Sequence, residues 1–174
     1  MKRILMIAAV CLAAVACASG TANKSAGNAT AQLQSTQGNI TNGTVNFTQS
    51  GGSVRVSGEI RGLKPNAEHG FHVHEKGDCS SGDGMSAGGH FNPDGNPHGN
   101  PGTPAHHAGD FASLKSNASG VAKIDFETSA IAVGSGTSDI TGKGLIVHTD
   151  PDDYTTQPTG KSGGRLACAV IVKS

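Results

Sequence analysis

Aromatic and charged side chains are scarce in this chain of 174 residues, which has no tryptophan, one tyrosine and 15% charged residues. The charges balance and form no run of one sign, so the sequence has no basic footprint of a nucleic-acid-binding protein. The sequence also has no internal repeat and no convincing helical segment. Glycine, in contrast, is abundant at 26 residues. Many glycines between short apolar stretches predict strands joined by turns rather than helices.

A long hydrophobic run is missing as well. Residues 4–15 are apolar, but they are too few to span a bilayer. They follow Lys2 and Arg3 and end in an Ala-Val-Ala cleavage signal, so residues 1–16 are predicted to be a signal peptide. Its removal leaves a mildly acidic chain that is exported from the cytoplasm.

Cys17 directly follows the predicted cleavage point, where a bacterial lipoprotein carries its lipid-bearing cysteine. We therefore expect a periplasmic protein tethered to the membrane through a lipid on Cys17. The alternative is an ordinary signal peptide followed by a leftover cysteine. Residues 17–32 are small and polar and predict a flexible tether, with the folded domain spanning residues 33–174.

Two further cysteines, Cys79 and Cys168, lie far apart in the chain. An oxidising compartment favours a disulfide between them. Two thiol metal ligands are the alternative, which is disfavoured because neither residue belongs to a close cysteine pair.

Apolar side chains alternate with polar ones on both sides of a Gly-Gly turn at residues 51–52, which predicts an antiparallel hairpin. Further strands are predicted at residues 69–74, 122–126, 144–148 and 166–172. The polar segments 75–112 and 149–164 are longer than ordinary connections, so they are either disordered or functional. The predicted fold is all-β, a Greek-key sandwich or flattened barrel of about eight antiparallel strands with two long functional loops.

Histidines are concentrated around these loops. His72 and His74 stand two residues apart on a predicted strand, so both imidazoles face the same side. Imidazoles with one carboxylate suit zinc, copper, iron or nickel. Two four-ligand sites need eight donors and the candidates number seven, so one imidazole must serve both metals, although the count does not identify which. The other candidates are His90, His98, His107, Asp110 and His148.

Five separate motifs resemble those of copper–zinc superoxide dismutase, in particular its bacterial exported type. They are GFHVHE at 70–75, GHFNP at 89–93, HAGD at 107–110, VH at 147–148 and GGRLAC at 163–168. Their order and spacing agree with the family over residues 33–173. The resemblance implies an enzyme that disproportionates superoxide to oxygen and hydrogen peroxide. Copper is reduced and reoxidised in turn, and zinc holds the bridging histidine.

The resemblance also implies a role for each candidate. The copper ligands are His72, His74, His90 and His148. The zinc ligands are His90, which bridges the metals, with His98, His107 and Asp110. The remaining expectations are that Asp152 hydrogen-bonds a ligand of each metal, that Arg165 attracts the superoxide anion, and that Cys79 pairs with Cys168.

Two residues outside these roles and the oligomeric state complete the expectations. His69 packs structurally, His106 is a solvated neighbour of His107, and the protein is a monomer or a homodimer. From the residues alone, a copper or zinc carrier, a zinc hydrolase and a structural sandwich are the alternatives. The anion-attracting Arg165 disfavours a carrier, and a zinc site with four protein ligands disfavours a hydrolase.

Overall fold

The computed structural model describes residues 27–174, so the predicted signal peptide (1–16) and Cys17 lie outside the described residues. This part of the chain forms nine strands and one short 3-10 helix, and it contains no helix with the length and apolar character to cross a membrane. The strands are β1 (Asn28–Ser35), β2 (Asn42–Ser50), β3 (Ser53–Arg61), β4 (Glu68–His69), β5 (Phe71–His74), β6 (Leu114–Lys115), β7 (Ala122–Thr128), β8 (Gly144–His148) and β9 (Arg165–Lys173), and the helix is η1 (Met85–Ala87).

Seven strands form one antiparallel sheet in the order β5-β8-β9-β1-β2-β3-β7, and β4 pairs with β6. The chain crosses from one side of the sheet to the other between β3 and β5, and again between β7 and β8. Such long returns are Greek-key connections. They confirm the predicted all-β fold.

The sheet is curled, as its two edges show. Phe71 on edge strand β5 and Phe126 on edge strand β7 both contact Phe111, with ring centroids 5.4 and 5.3 Å apart. Both edges therefore approach one side chain, which gives the curled half-barrel form of a flattened barrel.

The predicted hairpin is confirmed by β2 and β3, which pair from Asn42 opposite Arg61 to Ser50 opposite Ser53. Its alternating apolar side chains point into the core, where they are fully buried: Val45, Phe47, Val54, Val56 and Ile60. Burial of one face and exposure of the other is the arrangement that alternation predicts.

The predicted start of the domain at residue 33 is wrong. Residues 28–32, assigned from sequence to the flexible tether, form most of β1, which pairs with β2 on one side and β9 on the other. Ala29, Ala31 and Leu33 are buried in alternation along it. Alanine carries little apolar surface, so this inward face resembled the small polar residues of a tether.

The predicted strand 69–74 is divided at Gly70 into β4 and β5, which pair with different partners. Gly70 donates its N–H to the carbonyl of Asp150 and accepts from the N–H of His148. Both long loops are ordered. Residues 75–113 connect β5 to β6, and residues 149–164 connect β8 to β9.

Candidate metal centre

Strand β5 presents two histidines on one face. His72 and His74 alternate with Phe71 and Val73, and all four side chains are buried. Phe71 and Val73 join the main hydrophobic core, so the imidazoles lie on the opposite face of the strand. Burial on both faces explains why a four-residue strand carries no exposed side chain.

His148, at the end of β8, meets this pair. The ladder between β8 and β9 shifts register between Val147 and His148, so a bulge places His148 opposite Arg165. The Nε2 atoms of His148 and His74 are 3.3 Å apart, and the rings of His148 and His72 lie 5.0 Å apart. His90 from the first long loop completes the group, 4.0 Å from His72 between ring centroids.

A second group gathers around Asp110. Its Oδ1 lies 2.8 Å from His90 Nδ1 and 3.4 Å from His107 Nδ1, while its Oδ2 lies 3.0 Å from His98 Nδ1. Oδ2 also accepts hydrogen bonds from the backbone N–H groups of Gly99 and His107. These bonds hold the carboxylate in a fixed orientation between three imidazoles.

The two groups share His90. In each group the candidate ligand atoms lie within 4.8 Å of one another. His90 uses Nδ1 toward Asp110, and its Nε2 is the ring atom left for the other group. The groups are His72, His74, His90 and His148, and His90, His98, His107 and Asp110.

The donor atoms fit metal ions by a further observation. Four of these ring nitrogens are buried without a hydrogen-bond partner in the described residues: His72 Nδ1, His90 Nε2, His98 Nδ1 and His107 Nδ1. A buried unpaired polar atom costs about 1–3 kcal/mol, so four in one place point to a ligand that satisfies them. The opposite nitrogens of His72 and His74 are held by Asp152 and by the carbonyl of Gly88. Metal-binding histidines use their second nitrogen in this way.

A model of a protein family described as copper/zinc superoxide dismutase matches residues 41–171. The chain belongs to the copper/zinc superoxide dismutase family. It is an oxidoreductase that disproportionates superoxide to oxygen and hydrogen peroxide, with copper and zinc as its metals.

Individual proteins show the same likeness. The chain is 41% identical over 155 residues to an extracellular copper–zinc superoxide dismutase of Brugia pahangi, covering 84% of this chain and 76% of that protein. It is 42% identical over 135 residues to a copper–zinc superoxide dismutase of Paramecium bursaria Chlorella virus 1, covering 74% and 71%. The crystal structure of the clock protein EA4 matches with a TM-score of 0.76 at 40% identity, over 83% of this chain and 93% of that one. The first two relatives do not single out the bacterial exported type.

In this family member, the first group opens onto a cavity of about 270 Å³ lined by His74, His90, His148, Lys161 and Arg165. The larger cavities, of about 420 and 470 Å³, are lined by no residue of either group. Among these three cavities of the described residues, the smallest is the one that gives solutes access to the histidines.

Arg165 is held in this cavity wall by two carbonyls. Its Nη1 donates to Gly84 and its Nη2 donates to Gly88, each at 2.6 Å. Burial lowers the pKa of Arg165, and the charge of Asp83 partly offsets this, so the guanidinium stays cationic at neutral pH. Lys161 is an exposed second cation on the same wall, and sequence reasoning did not single it out.

The disulfide between Cys79 and Cys168 is confirmed, with a Cα–Cα distance of 5.8 Å. It attaches the loop that carries Gly84 and Gly88 to β9, three residues beyond Arg165. The alternative of two thiol metal ligands is therefore wrong.

The side chains of the centre differ in proton affinity. Burial lowers the pKa of His72 to about 4, against a smaller opposing effect of Asp152, and it lowers the pKa values of His74 and His148 well below the usual range. Burial also acts to lower the pKa of His98, but the nearby carboxylates of Asp110 and Asp152 raise it to about 9.

Asp152 connects the two groups. Its Oδ2 accepts from His72 Nε2 and its Oδ1 accepts from His98 Nε2, each at 2.8 Å. Burial acts to raise the pKa of Asp152, but these two contacts hold it well below its usual range.

His69 and His106 lie outside both groups. His69 is buried, and its Nδ1 donates to the carbonyl of His148 at 2.9 Å. His106 is partly exposed, and its Nδ1 donates to the carbonyl of His107. The fold thus places His107 in the second group and leaves its neighbour His106 outside it.

Proposed function

We propose that His72, His74, His90 and His148 bind the copper, and that His90, His98, His107 and Asp110 bind the zinc. Four imidazoles suit copper(II), and three imidazoles with one carboxylate suit a closed zinc site. The single observation that carries this assignment is the membership of His90 in both groups, with its two nitrogens directed to different donor sets.

Copper supplies one-electron chemistry when bound, because it changes oxidation state and zinc does not. One superoxide gives up an electron and leaves as oxygen, and a second takes up one electron and two protons to leave as hydrogen peroxide. In our proposal His90 Nε2 binds one of these protons and releases it to the product. The zinc site that His90 Nδ1 and Asp110 would form together keeps the ring in place while this proton moves.

Arg165 captures the substrate in our proposal. Superoxide is a small anion, and a fixed guanidinium in the cavity wall raises its local concentration and can hydrogen-bond to it. The two carbonyl bonds of Arg165 support this role because they hold the side chain in one orientation. Lys161 adds a second positive charge at the same entrance.

Asp152 orients the ligands in our proposal. By accepting from the outer nitrogens of His72 and His98, it leaves Nδ1 of each ring free to bind a metal. The same carboxylate then contacts a ligand of each ion.

The assignment is tested with His148→Ala and His107→Ala, each in one group only, and with His106→Ala as the control. We expect His148→Ala to lose copper and superoxide consumption but keep zinc, and His107→Ala to lose zinc first. His106→Ala keeps both. Metal analysis by mass spectrometry, the copper(II) electron paramagnetic resonance spectrum and pulse radiolysis are the readouts. An unchanged copper spectrum in His148→Ala, or loss of copper alone in His107→Ala, overturns the assignment.

We also propose that the chain is a bacterial exported protein whose signal peptide, residues 1–16, is removed and whose Cys17 carries a lipid. The basic start, the short apolar run and the position of Cys17 support this. The disulfide and an extracellular relative agree with export. Expression of the full chain in a bacterium, with Cys17→Ser as the control, tests it. We expect the wild-type protein in the membrane fraction with a lipid mass on its N-terminal peptide. An unmodified Cys17 in the mature protein would contradict lipidation.

A further inference from the structure

The side chain of Gln157 binds the main chain of His98 at both of its polar groups. Its Oε1 accepts from the His98 N–H at 2.9 Å, and its Nε2 donates to the His98 carbonyl at 2.8 Å. The two residues are 59 positions apart and belong to the two different long loops. The side-chain amide thus pairs with both main-chain polar groups of His98, as the backbone of a neighbouring strand would in a sheet.

No regular secondary structure holds the main chain of His98. It lies in a loop segment without regular structure, and neither its N–H nor its carbonyl bonds to another backbone group in residues 27–174. Asp110 and Asp152 hold its ring, and the N–H of the next residue, Gly99, donates to Asp110, but none of these contacts binds the N–H or the carbonyl of His98 itself. Gln157 therefore supplies the restraint that regular structure gives to His72, His74 and His148.

Gln157 is itself placed by a fixed turn. The carboxylate of Asp153 accepts from the N–H groups of Thr155 and Thr156, at 2.9 and 2.7 Å. The carbonyl of Thr156 accepts from the N–H of Gly160 at 2.8 Å. These bonds close the turn on both sides of Gln157, so the amide is preorganised toward His98.

Gly160 allows this turn to approach the centre. Its φ of 67° is in the left-handed region, and a Cβ there would lie 2.6 Å from His98 Nε2 and would collide with Asp152. Only glycine satisfies both demands. The second long loop thus contacts His98 at its ring, its N–H and its carbonyl.

We infer that Gln157 is a positioning residue for zinc: it fixes the main chain of His98 so that Nδ1 is directed at the metal. This inference rests on the proposed assignment of His98 to zinc. Since removing such supporting contacts weakens metal binding by about 10–100-fold, zinc dissociation should accelerate by that factor when the amide is lost. Copper is expected to be retained, because Gln157 contacts no member of the copper group.

The test compares Gln157→Leu with Gln32→Leu, a matched change at an exposed position of β1. Both glutamines are exposed, so neither replacement alters the core. Zinc release to a chromophoric chelator is the first readout. The spectrum of cobalt(II) placed in the zinc site, which reports ligand geometry, is the second. We expect faster release and an altered spectrum in Gln157→Leu only. Release as slow as in Gln32→Leu, with an unchanged spectrum, overturns the inference.

A graded variant and the unaltered protein extend the test. Gln157→Glu keeps the acceptor for the His98 N–H but loses the donor to its carbonyl, so zinc release should be intermediate. Hydrogen exchange of the His98 amide in the metal-loaded wild-type protein should be slow, and in Gln157→Leu it should be fast. Fast exchange in the wild type would contradict the bond itself. If His98→Ala retains zinc, the proposed assignment fails; if His98→Ala loses zinc and Gln157→Leu does not, only this inference fails.

Discussion

Each histidine on β5 and β8 has one ring nitrogen held by the protein and one left for a metal. Asp152 accepts a hydrogen bond from Nε2 of His72, and the carbonyl of Gly88 accepts one from Nδ1 of His74. The carbonyl of Gly163 lies 3.5 Å from Nδ1 of His148. Burial lowers the pKa of all three histidines. They are therefore neutral at physiological pH, which is the state that binds metal ions.

Removal of the Arg165 guanidinium should weaken substrate capture. We predict that Arg165→Ala lowers the rate of superoxide consumption about tenfold at low salt, because a fixed positive charge beside the cavity raises the local anion concentration. The loss should shrink as ionic strength rises, since salt screens the charge in the wild type. Pulse radiolysis over a range of ionic strength measures this, with copper content determined in parallel.

Two further variants separate the charge from other effects. Arg165→Lys keeps the charge but loses the fork that binds Gly84 and Gly88, so it should recover only part of the rate. Lys123→Ala removes a charge on β7, away from the cavity, and should leave the salt dependence unchanged. Equal salt dependence of Arg165→Ala and the wild type would count against the capture role.

At the scale of elements, the disulfide attaches the first long loop to β9. The loop it closes is long, with a sequence separation of 89, so removing it should cost about 4–5 kcal/mol of stability on the chain-entropy model. Gly84 and Gly88, which hold Arg165, lie in the attached segment. The disulfide thus serves both stability and the orientation of Arg165.

We predict that Cys79→Ser lowers stability by this amount and also weakens the salt dependence of the rate, because Arg165 loses its fixed partners. Metal content should persist, since the backbone of His90 remains paired with that of His74 and its ring remains beside Asp110. Denaturant unfolding and pulse radiolysis are the measurements, and chemical reduction of the wild type is the control. A fully retained salt dependence after reduction would show that the loop is held without the disulfide.

The strands with strong alternation could be predicted from sequence, as β2, β3 and β7 show. β1 could not, because its inward face begins with Ala29 and Ala31, whose burial depends on partners on both sides. The division of the strand 69–74 also escaped prediction, since it depends on hydrogen bonds of Gly70 to Asp150 and His148, which are distant in sequence.

The residues that the fold gathers into the metal centre were all identified from sequence, because their motifs have a distinctive order and spacing. The supporting contacts were less accessible. Gln157 and Gly160 carry no chemistry of their own, and their importance follows from their approach to His98. Lys161 lies in a Gly-rich turn, and no local sequence pattern predicts that this turn lines the cavity.

At the scale of the whole molecule, the buried histidines should make the stability of the metal-free protein depend on pH. The pKa of His72 falls from 6.5 in the unfolded chain to about 4 in the folded protein, so the unfolded chain binds protons first as the pH falls. Stability should therefore decrease from about pH 6.5 to about pH 4. His74 and His148 act in the same direction.

His98 acts on the alkaline side. Because the pKa of His98 is raised to about 9 in the folded protein, its contribution to the free energy of unfolding is fully present below pH 6.5. That contribution is lost as the pH rises through 9. We predict that the stability of the metal-free protein is greatest near pH 6.5, as measured by urea unfolding in the presence of a chelator. His72→Gln should flatten the acid side, and His98→Gln should flatten the alkaline side. Greater stability at pH 4 than at pH 6.5 would contradict these pKa shifts.

The central claim is that one imidazole serves two ions, and anomalous X-ray diffraction from crystals of the copper- and zinc-loaded protein tests it most directly. Data collected at the absorption edges of the two metals locate each ion separately. We predict a copper ion at Nε2 of His90 and a zinc ion at Nδ1 of the same ring. A single ion, or two ions of which only one is bonded to His90, would contradict the account.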